Sequence, residues 1–144
     1  MSCPTEVIAE RMRQLMDRKG WTAQQLVDEL AKVGIKWTRL IAANVLVKRR
    51  RYITVDEWLG LAYVLDVAPV HLLIPINDDQ QPYHVTPGEV VRVERARAWM
   101  RGEDPLPGTD PRTYFSEVPR AEWVASVSAT STGATNPLGE VTAS

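Results

Sequence analysis

Four consecutive cations, Lys48, Arg49, Arg50 and Arg51, follow the apolar residues 45–47 without an intervening glycine. Cations near the C-terminus of a helix interact favourably with the negative end of its dipole, but four exceed what one dipole needs. Arginine and lysine also neutralise phosphates, and each phosphate neutralised on B-DNA steepens the salt dependence of binding by a log–log slope of about 0.9. The run is therefore either the solvated end of a helix or a phosphate-binding patch.

Residues able to read base edges lie immediately upstream, in a segment with the apolar spacing of a short helix. If Ala42 and Val45 face the core, the helical step of about 100° puts other residues on the outer face and at its leading end. The base-reading candidates are Thr38, Arg39, Leu40, Ala43, Asn44 and Val47. Arginine can bind guanine and asparagine can bind adenine through two hydrogen bonds, and apolar side chains can contact thymine methyl groups. The apolar Leu40 and Val47 could equally form a protein-binding surface.

Polar residues open the preceding segment, where side chains and free backbone N–H groups at a helix start can hold a phosphate. Thr22 and Gln25 also match the S/T-x-x-E/Q capping box, which explains both residues without any ligand. Lys36 is either a phosphate contact or a solvated surface charge, and Trp37 is assigned to packing. The phosphate candidates are Thr22, Gln24, Gln25, Lys36, Lys48, Arg49, Arg50 and Arg51.

Five short helices in residues 5–75 are predicted to position these side chains. They lie between the capping residue Thr5 and Gly20, and over about 23–33, 39–47, 55–66 and 69–73. Thr38 caps the third helix, and Thr54 with Glu57 forms a second capping box at the start of the fourth. In the fourth helix the apolar spacing predicts a buried stripe of Val55, Trp58, Leu59, Ala62 and Leu65.

The composition changes after these helices, and residues 76–125 are predicted to be a linker and a small irregular extension. Residues 83–93 favour a weak hairpin around a Pro-Gly pair. The alternative is a helix start capped by Thr86 and Glu89. A short helix is predicted over VERARAWMRG (93–102).

The predicted fold class is all-α, with a five-helix domain at 5–75, the extension at 76–125 and a disordered tail at 126–144. The tail consists of small and polar residues, which bury too little apolar surface to order a chain. Within 83–123, three aromatic residues are expected to be exposed: Tyr114, Phe115 and Trp123. This segment is therefore the candidate surface for dimerisation or for a protein partner.

The stretches IAERMRQLMDRKGWTAQQLVDEL (8–30) and AANVLVKRRRYITVDEWLGLAYVLDVAPVHLLIP (42–75), with the helix order between them, resemble the Cro/Xre-like, lambda-repressor-like family of helix-turn-helix DNA-binding proteins. The resemblance covers about residues 6–75. The long turn KVGIKWT is similar to that of a regulator subgroup from high-GC Gram-positive bacteria and their phages. The resemblance implies that the second helix crosses the DNA backbone, the third enters the major groove, and the loop with the four cations lies along phosphates.

The end of the third helix departs from that family, which usually turns there at a glycine. This chain has Leu46, Val47 and Lys48 instead. Lys48 in place of a left-handed glycine predicts either a helix one turn longer or a different helix end.

The function predicted from the sequence is that of a sequence-specific, repressor-like regulator that binds double-stranded DNA. One short helix reads only a few base pairs, so we expect a homodimer on paired half-sites. The alternative is a protein-interaction module on the same scaffold, such as an antitoxin, an anti-repressor or a regulatory partner, with weak DNA binding or none.

The remaining chemistry-bearing residues predict no enzyme, no cofactor and no metal. His71 and His84 stand apart, no Cys/His set has zinc spacing, and no phosphate-loop, dinucleotide or nucleophile-elbow motif occurs. The single cysteine, Cys3, cannot form an internal disulfide, which suits a reducing cytosol.

Charge is distributed unevenly, although the net charge is only −1. Residues 1–75 carry 11 basic and 8 acidic side chains, whereas residues 76–144 carry 6 and 10. We therefore expect the first half to face an anion. We expect no signal peptide and no membrane span, and the predicted location is the cytoplasm, with nucleoid association when bound to DNA.

Overall fold

The computed structural model describes residues 3–117, 119 and 121. These residues form seven helices and one two-stranded antiparallel sheet. The elements are α1 (Pro4–Lys19), α2 (Ala23–Lys32), α3 (Arg39–Leu46), α4 (Val55–Leu65), α5 (Pro69–Leu73), β1 (Pro82–Thr86), β2 (Glu89–Arg92), α6 (Val93–Met100) and α7 (Pro111–Ser116). The all-α class with five helices was therefore wrong, because the residues after α5 pair into a hairpin and add two helices.

The hairpin forms where aromatic and β-branched residues alternate along two short segments. Tyr83 lies opposite Val91 and His84 lies opposite Val90, with an irregularity in the register just after His84. Such cross-strand pairs favour strands over a helix. The alternative helix start at residues 86–89 does not form, since Thr86 and Glu89 face each other across the turn.

Side-chain caps define the starts of α2, α3 and α4, as the sequence predicted. Thr22 Oγ1 accepts a hydrogen bond from the Gln25 N–H at 3.2 Å, while the Gln25 side chain accepts one from the Thr22 N–H at 2.7 Å. Thr54 and Glu57 form the same reciprocal box at α4. Thr38 caps α3 by accepting from the Ile41 N–H at 3.2 Å. The first helix differs from the prediction: it begins at Pro4, one residue before Thr5.

The C-terminus of α3 turns at Lys48, which adopts a left-handed conformation with φ of 63°. The Lys48 N–H donates to the Val45 carbonyl at 3.0 Å, and the Arg49 N–H donates to the Asn44 carbonyl at 2.8 Å. These two bonds are those of a Schellman motif, in which glycine usually occupies the left-handed position. The helix therefore stops at Leu46, as it would with glycine, and does not run one turn further.

Lys48→Gly is expected to be more stable than Lys48→Ala by about 1 kcal/mol, because only alanine retains the left-handed strain. Both variants lose the 2.8 Å ion pair that the Lys48 ammonium makes with Glu10, so the comparison isolates the backbone. Urea unfolding at neutral pH measures the difference. Equal midpoints, or a more stable alanine variant, would contradict this account of the helix end.

Two clusters of buried side chains hold the helices and the hairpin. The first lies between all five of the first helices and is centred on Met12, Leu26 and Leu61. The second comprises Val7, Ile74, Tyr83, Val93 and Ala96. Tyr83 is fully buried and donates its hydroxyl to the Leu73 carbonyl at 2.8 Å. Burial raises the pKa of this phenol, so it stays a neutral donor.

The chain divides into two compact units, Met1–Arg101 and Gly102–Ser144. The hairpin and α6 therefore pack with the first five helices, whereas the sequence grouped them with the extension. No helix in the described part of the chain is long and apolar enough to cross a membrane.

In the second unit, Asp110 caps α7 by accepting from the Arg112 N–H at 3.0 Å. Tyr114 and Phe115 make an edge-to-face contact with ring centroids 5.2 Å apart. Both are half-buried, not exposed as predicted. Trp123 and the tail at 126–144 lie outside the described residues.

Candidate nucleic-acid interface

The helix pair α2–α3 is joined by six residues, 33–38, a longer connection than the three or four residues of the usual helix-turn-helix. Gly34 opens the turn with φ of 89°. Ile35 then packs so closely on α4 that a Cβ on Gly60 would stand 2.8 Å from its Cγ1. Trp37 is buried near the end of the turn. These contacts hold the long turn against α4 and thereby fix where α3 begins.

The outer face of α3 carries the base-reading candidates. Ala42 and Val45 face the core, as the helical spacing predicted. Five candidates are exposed: Thr38, Arg39, Leu40, Ala43 and Val47. Asn44 is half-buried. Leu40 and Val47 expose 68% and 58% of their surface, so the face combines one arginine with two bare apolar side chains.

The start of α2 has side chains that already have partners. Thr22 and Gln25 satisfy each other in the capping box, and the Gln24 side chain donates to Asp28 at 2.8 Å. Their side chains are exposed but serve the helix itself. What this helix start offers an anion is the backbone N–H groups of Ala23 and Gln24, because the Gln25 N–H donates to the Thr22 hydroxyl and the Leu26 N–H to the Thr22 carbonyl.

The four cations after α3 fall into two alternating sets. Lys48 pairs with Glu10 at 2.8 Å, and Arg50 pairs with Glu57 at 2.9 Å. Arg49 and Arg51 are exposed and make no ion pair with any described residue. The run is therefore neither a uniform patch nor a uniformly solvated helix end, and Arg49 and Arg51 are its members without a counter-ion among the described residues. Lys36, in the turn, is also exposed.

Glu57 forms the electrostatic centre of this region. Its carboxylate accepts from Arg50 Nη1 at 2.9 Å, from Trp37 Nε1 at 2.6 Å and from the Thr54 N–H at 2.9 Å. The Arg50 guanidinium also lies over the Tyr52 ring, 4.3 Å from its centroid. Turn, loop and helix start are thus tied to one buried carboxylate.

The ionisation of Glu57 follows from these partners. Burial would raise its pKa, but Arg50, the Thr54 N–H and Trp37 lower it to about 2. Lys48 is also held in its charged form, because its hydrogen bond to Glu10 raises the pKa of the ammonium. Both pairs stay charged at neutral pH, so Lys48 and Arg50 are neutralised within the protein.

Sequence reasoning missed the residues that organise the site. Glu57 was identified only as a capping residue, although it lies four residues before the buried Leu61 and therefore on the same face of α4. Arg13 gave no local signal, yet its guanidinium donates to the Leu46 carbonyl at 2.8 Å and helps to end α3. Contacts between residues 33 positions apart leave no trace in a local pattern.

The predicted stripe of α4 was partly wrong. The buried residues are Glu57, Leu61, Ala62 and Leu65, with Trp58 half-buried. Val55 and Leu59, both predicted to be buried, are exposed. The helix is rotated about its axis relative to the predicted orientation, because Glu57 faces the core in place of Val55 and contacts Arg50 and Trp37.

Comparisons of the chain with protein-family models, with curated proteins and with solved structures found no match. No group of three or more metal-ligating side chains occurs in the part of the chain that the structure describes.

Proposed function

We propose that this protein is a sequence-specific regulator that binds double-stranded DNA, with α3 in the major groove. The observation that carries the proposal is the juxtaposition of an exposed helix face, led by Arg39, with Arg49 and Arg51 in the loop after the helix, which are exposed and make no ion pair with a described residue. The first group is suited to base edges and the second to phosphates.

The dimensions of α3 support this arrangement. Its eight residues span about 12 Å, which suits entry into the B-DNA major groove by the first turns of the helix. Arg39 is exposed at the first position of α3, and the first residues of a recognition helix are those that contact base edges. The start of α2 adds the N–H groups of Ala23 and Gln24 for a backbone phosphate.

The resemblance to the Cro/Xre-like family supports the same proposal. At the position where that family usually has glycine, Lys48 adopts the left-handed conformation that glycine favours, and the turn after α3 closes with the hydrogen bonds of a Schellman motif. Under this proposal the protein acts in the cytoplasm as a repressor-like homodimer on paired half-sites, associating with the nucleoid.

A protein-interaction module remains the second candidate, and Leu40 and Val47 favour it. Both side chains are exposed on the proposed reading face, and exposed apolar side chains also suit a protein partner. The two functions separate on duplex DNA at low salt. A DNA-binding protein retards any duplex there, because phosphate contacts are independent of sequence, whereas a module of the second kind leaves it free.

Arg39→Ala is expected to weaken binding to the preferred duplex by about 2 kcal/mol and to relax the preference at one base pair. In vitro selection of duplexes, followed by fluorescence anisotropy at fixed salt, measures both effects. Arg95→Ala removes an exposed arginine from α6 and is the matched control, with little change expected. Equal losses on all duplexes would show that Arg39 contacts phosphate and not a base.

A further inference from the structure

Helix α6 is held to α5, and to the residues that follow α5, by two of its arginines. The Arg97 guanidinium donates to the Asp79 carboxylate at 2.9 Å and to the Pro75 carbonyl at 2.7 Å. Arg101 ends α6 and contacts His71 of α5, with its Nη2 atom 2.5 Å from the imidazole Nε2 atom. The second arginine therefore joins the C-terminal end of α6 directly to a histidine.

The contact between Arg101 and His71 requires a neutral imidazole. A guanidinium has only N–H donors and stays protonated, so the Nε2 atom of His71 accepts the hydrogen bond through its lone pair. An imidazolium carries a proton on both ring nitrogens and cannot accept. Protonation of His71 therefore replaces this hydrogen bond with a repulsion between two cations.

Three arginines from two helices surround His71. Arg97 and Arg101 come from α6, and the buried Arg11 of α1 donates through its Nε atom to the His71 carbonyl at 2.9 Å. Asp79 offsets only one of them, because it pairs with Arg97. Burial of the imidazole and then repulsion by the three guanidinium groups lower the pKa of His71. His71 is therefore neutral, and its contact with Arg101 is formed, at neutral pH.

The other contacts around α5 keep their charge over the pH range in which histidine titrates. The acceptors of Arg97 are a carbonyl, which does not titrate, and a carboxylate, and carboxylates titrate well below histidine. Helix α4 and the hairpin meet α5 through neutral donors: the Trp58 indole donates to the Pro69 carbonyl, and the Tyr83 phenol donates to the Leu73 carbonyl. Mild acid therefore acts on the end of α6 and leaves these contacts in place.

We propose that His71 and Arg101 form a pH-sensitive latch, which holds the C-terminal turn of α6 on α5 at neutral pH and opens when His71 is protonated. The opening is local, because Val93 and Ala96 keep the first turns of α6 buried in the second cluster. The latch goes beyond the proposed function and does not depend on it, since neither residue belongs to α2, to α3 or to the loop after α3.

The direction of the pH dependence follows from the two states of the latch. In the open latch the imidazole is in water and has its usual pKa of 6.5, whereas in the closed latch that pKa is lowered. The closed form is therefore fully favoured above about pH 6.5 and is progressively lost as the pH falls below that value. Between about pH 7.5 and about pH 5.5, the ratio of open to closed latch rises by at most about tenfold.

Amide hydrogen exchange of the full-length protein, corrected for the intrinsic exchange rate at each pH, measures the opening. The Arg101 N–H, which donates to the Arg97 carbonyl at 3.1 Å, lies in the turn that is released. Its opening is expected to rise severalfold, and at most about tenfold, from about pH 7.5 to about pH 5.5. The amides of α2 are the internal control, with no change expected. A nuclear magnetic resonance titration of the His71 ring is expected to give a pKa below 6.5.

Substitutions of the two histidines separate the latch from a general effect of acid. In His71→Gln the side-chain amide oxygen accepts from Arg101 at every pH, so the rise in exchange is expected to disappear. His71→Lys places a permanent cation there and is expected to show at neutral pH the exchange that the wild type shows in acid. The matched control is His84→Gln, which removes the other histidine, on β1, and is expected to keep the wild-type response.

Three results would overturn the proposal: a His71 ring that titrates at or above its usual pKa in the folded protein, exchange of the α6 amides that is the same at both pH values, or a His71→Gln variant that responds to acid as the wild type does. Circular dichroism at each pH checks that every variant is folded. If His71→Lys does not fold, the comparison of the wild type with His71→Gln and His84→Gln decides by itself. None of these measurements involves DNA, so the latch and the proposed function fail separately.

Discussion

Glu57→Gln is expected to lower the free energy of unfolding by about 3 kcal/mol, because it leaves the half-buried Arg50 without its counter-ion. The Arg50 and Glu57 side chains expose only 16% and 12% of their surface, so solvent screens the pair weakly. The amide can still accept from Trp37 but cannot match the charge of Arg50. Urea unfolding at neutral pH, read by tryptophan fluorescence and circular dichroism together, measures the loss.

Asp56→Asn is the matched control, since it removes the neighbouring carboxylate, which is exposed and makes no ion pair among the described residues. A loss of less than about 1 kcal/mol is expected there, because Asp56 in the first turn of α4 interacts only with the helix dipole. Combining Glu57→Gln with Arg50→Met completes a double-mutant cycle. If the two losses simply add, Arg50 and Glu57 do not stabilise each other and the proposed centre of the region is wrong.

The pH dependence of stability gives the same pair a second readout. The folded pKa of Glu57, about 2, lies below the unfolded value of 4.5. Its contribution is therefore complete above about pH 4.5 and is lost as the pH falls toward 2. The wild type is expected to lose about 3 kcal/mol more than Glu57→Gln over this interval, from the size of the pKa difference. If the stability of the two proteins changed in parallel with pH, the low pKa of Glu57 in the folded protein would be contradicted.

Local chemistry explains which parts of the fold the sequence could predict. A capping box is complete within four residues. The pairs Thr22 with Gln25 and Thr54 with Glu57 therefore predict where α2 and α4 begin without knowledge of tertiary contacts. The core face of α3 follows similarly from the spacing of Ala42 and Val45.

The errors occur where distant residues decide between local options. In α4 the apolar residues are so numerous that two stripes compete, and Glu57 settles the choice through partners on the turn and the loop. The end of α3 had two possible forms, and Glu10 and Arg13 of α1 favour the left-handed turn at Lys48. The predicted all-α class was wrong because the sequence pattern of residues 83–93 did not decide between a hairpin and a helix start. Burial of Tyr83 in the second cluster favours the hairpin.

Only part of the candidate site followed from local sequence. The outer face of α3 depends on helical geometry alone, and five of its six predicted residues are exposed. The cation run could not be resolved from sequence, because all four residues look alike until Lys48 and Arg50 meet carboxylates from α1 and α4. The division between structural and available cations is a tertiary property.

That division leads to the largest effect expected on DNA binding. Arg49→Ala combined with Arg51→Ala is expected to weaken binding to every duplex by about 100-fold at 50 mM salt, if each arginine neutralises one phosphate. The log–log salt slope should fall in magnitude by about 1.8. Both side chains are exposed, so stability should change by less than about 0.5 kcal/mol. Fluorescence anisotropy on a selected and a random duplex, over a salt series, measures the affinity and the slope.

Arg92→Ala combined with Arg95→Ala is the control for net charge, because it removes two exposed arginines from the hairpin and α6. It should leave the salt slope nearly unchanged, since long-range attraction is screened beyond about 10 Å at 0.1 M salt. If both double variants weaken binding alike, the duplex responds to overall charge and Arg49 and Arg51 are not a phosphate contact. If the first double variant binds like the wild type, DNA does not lie along the loop after α3. The exposed Leu40 and Val47 would then belong to a protein-binding face.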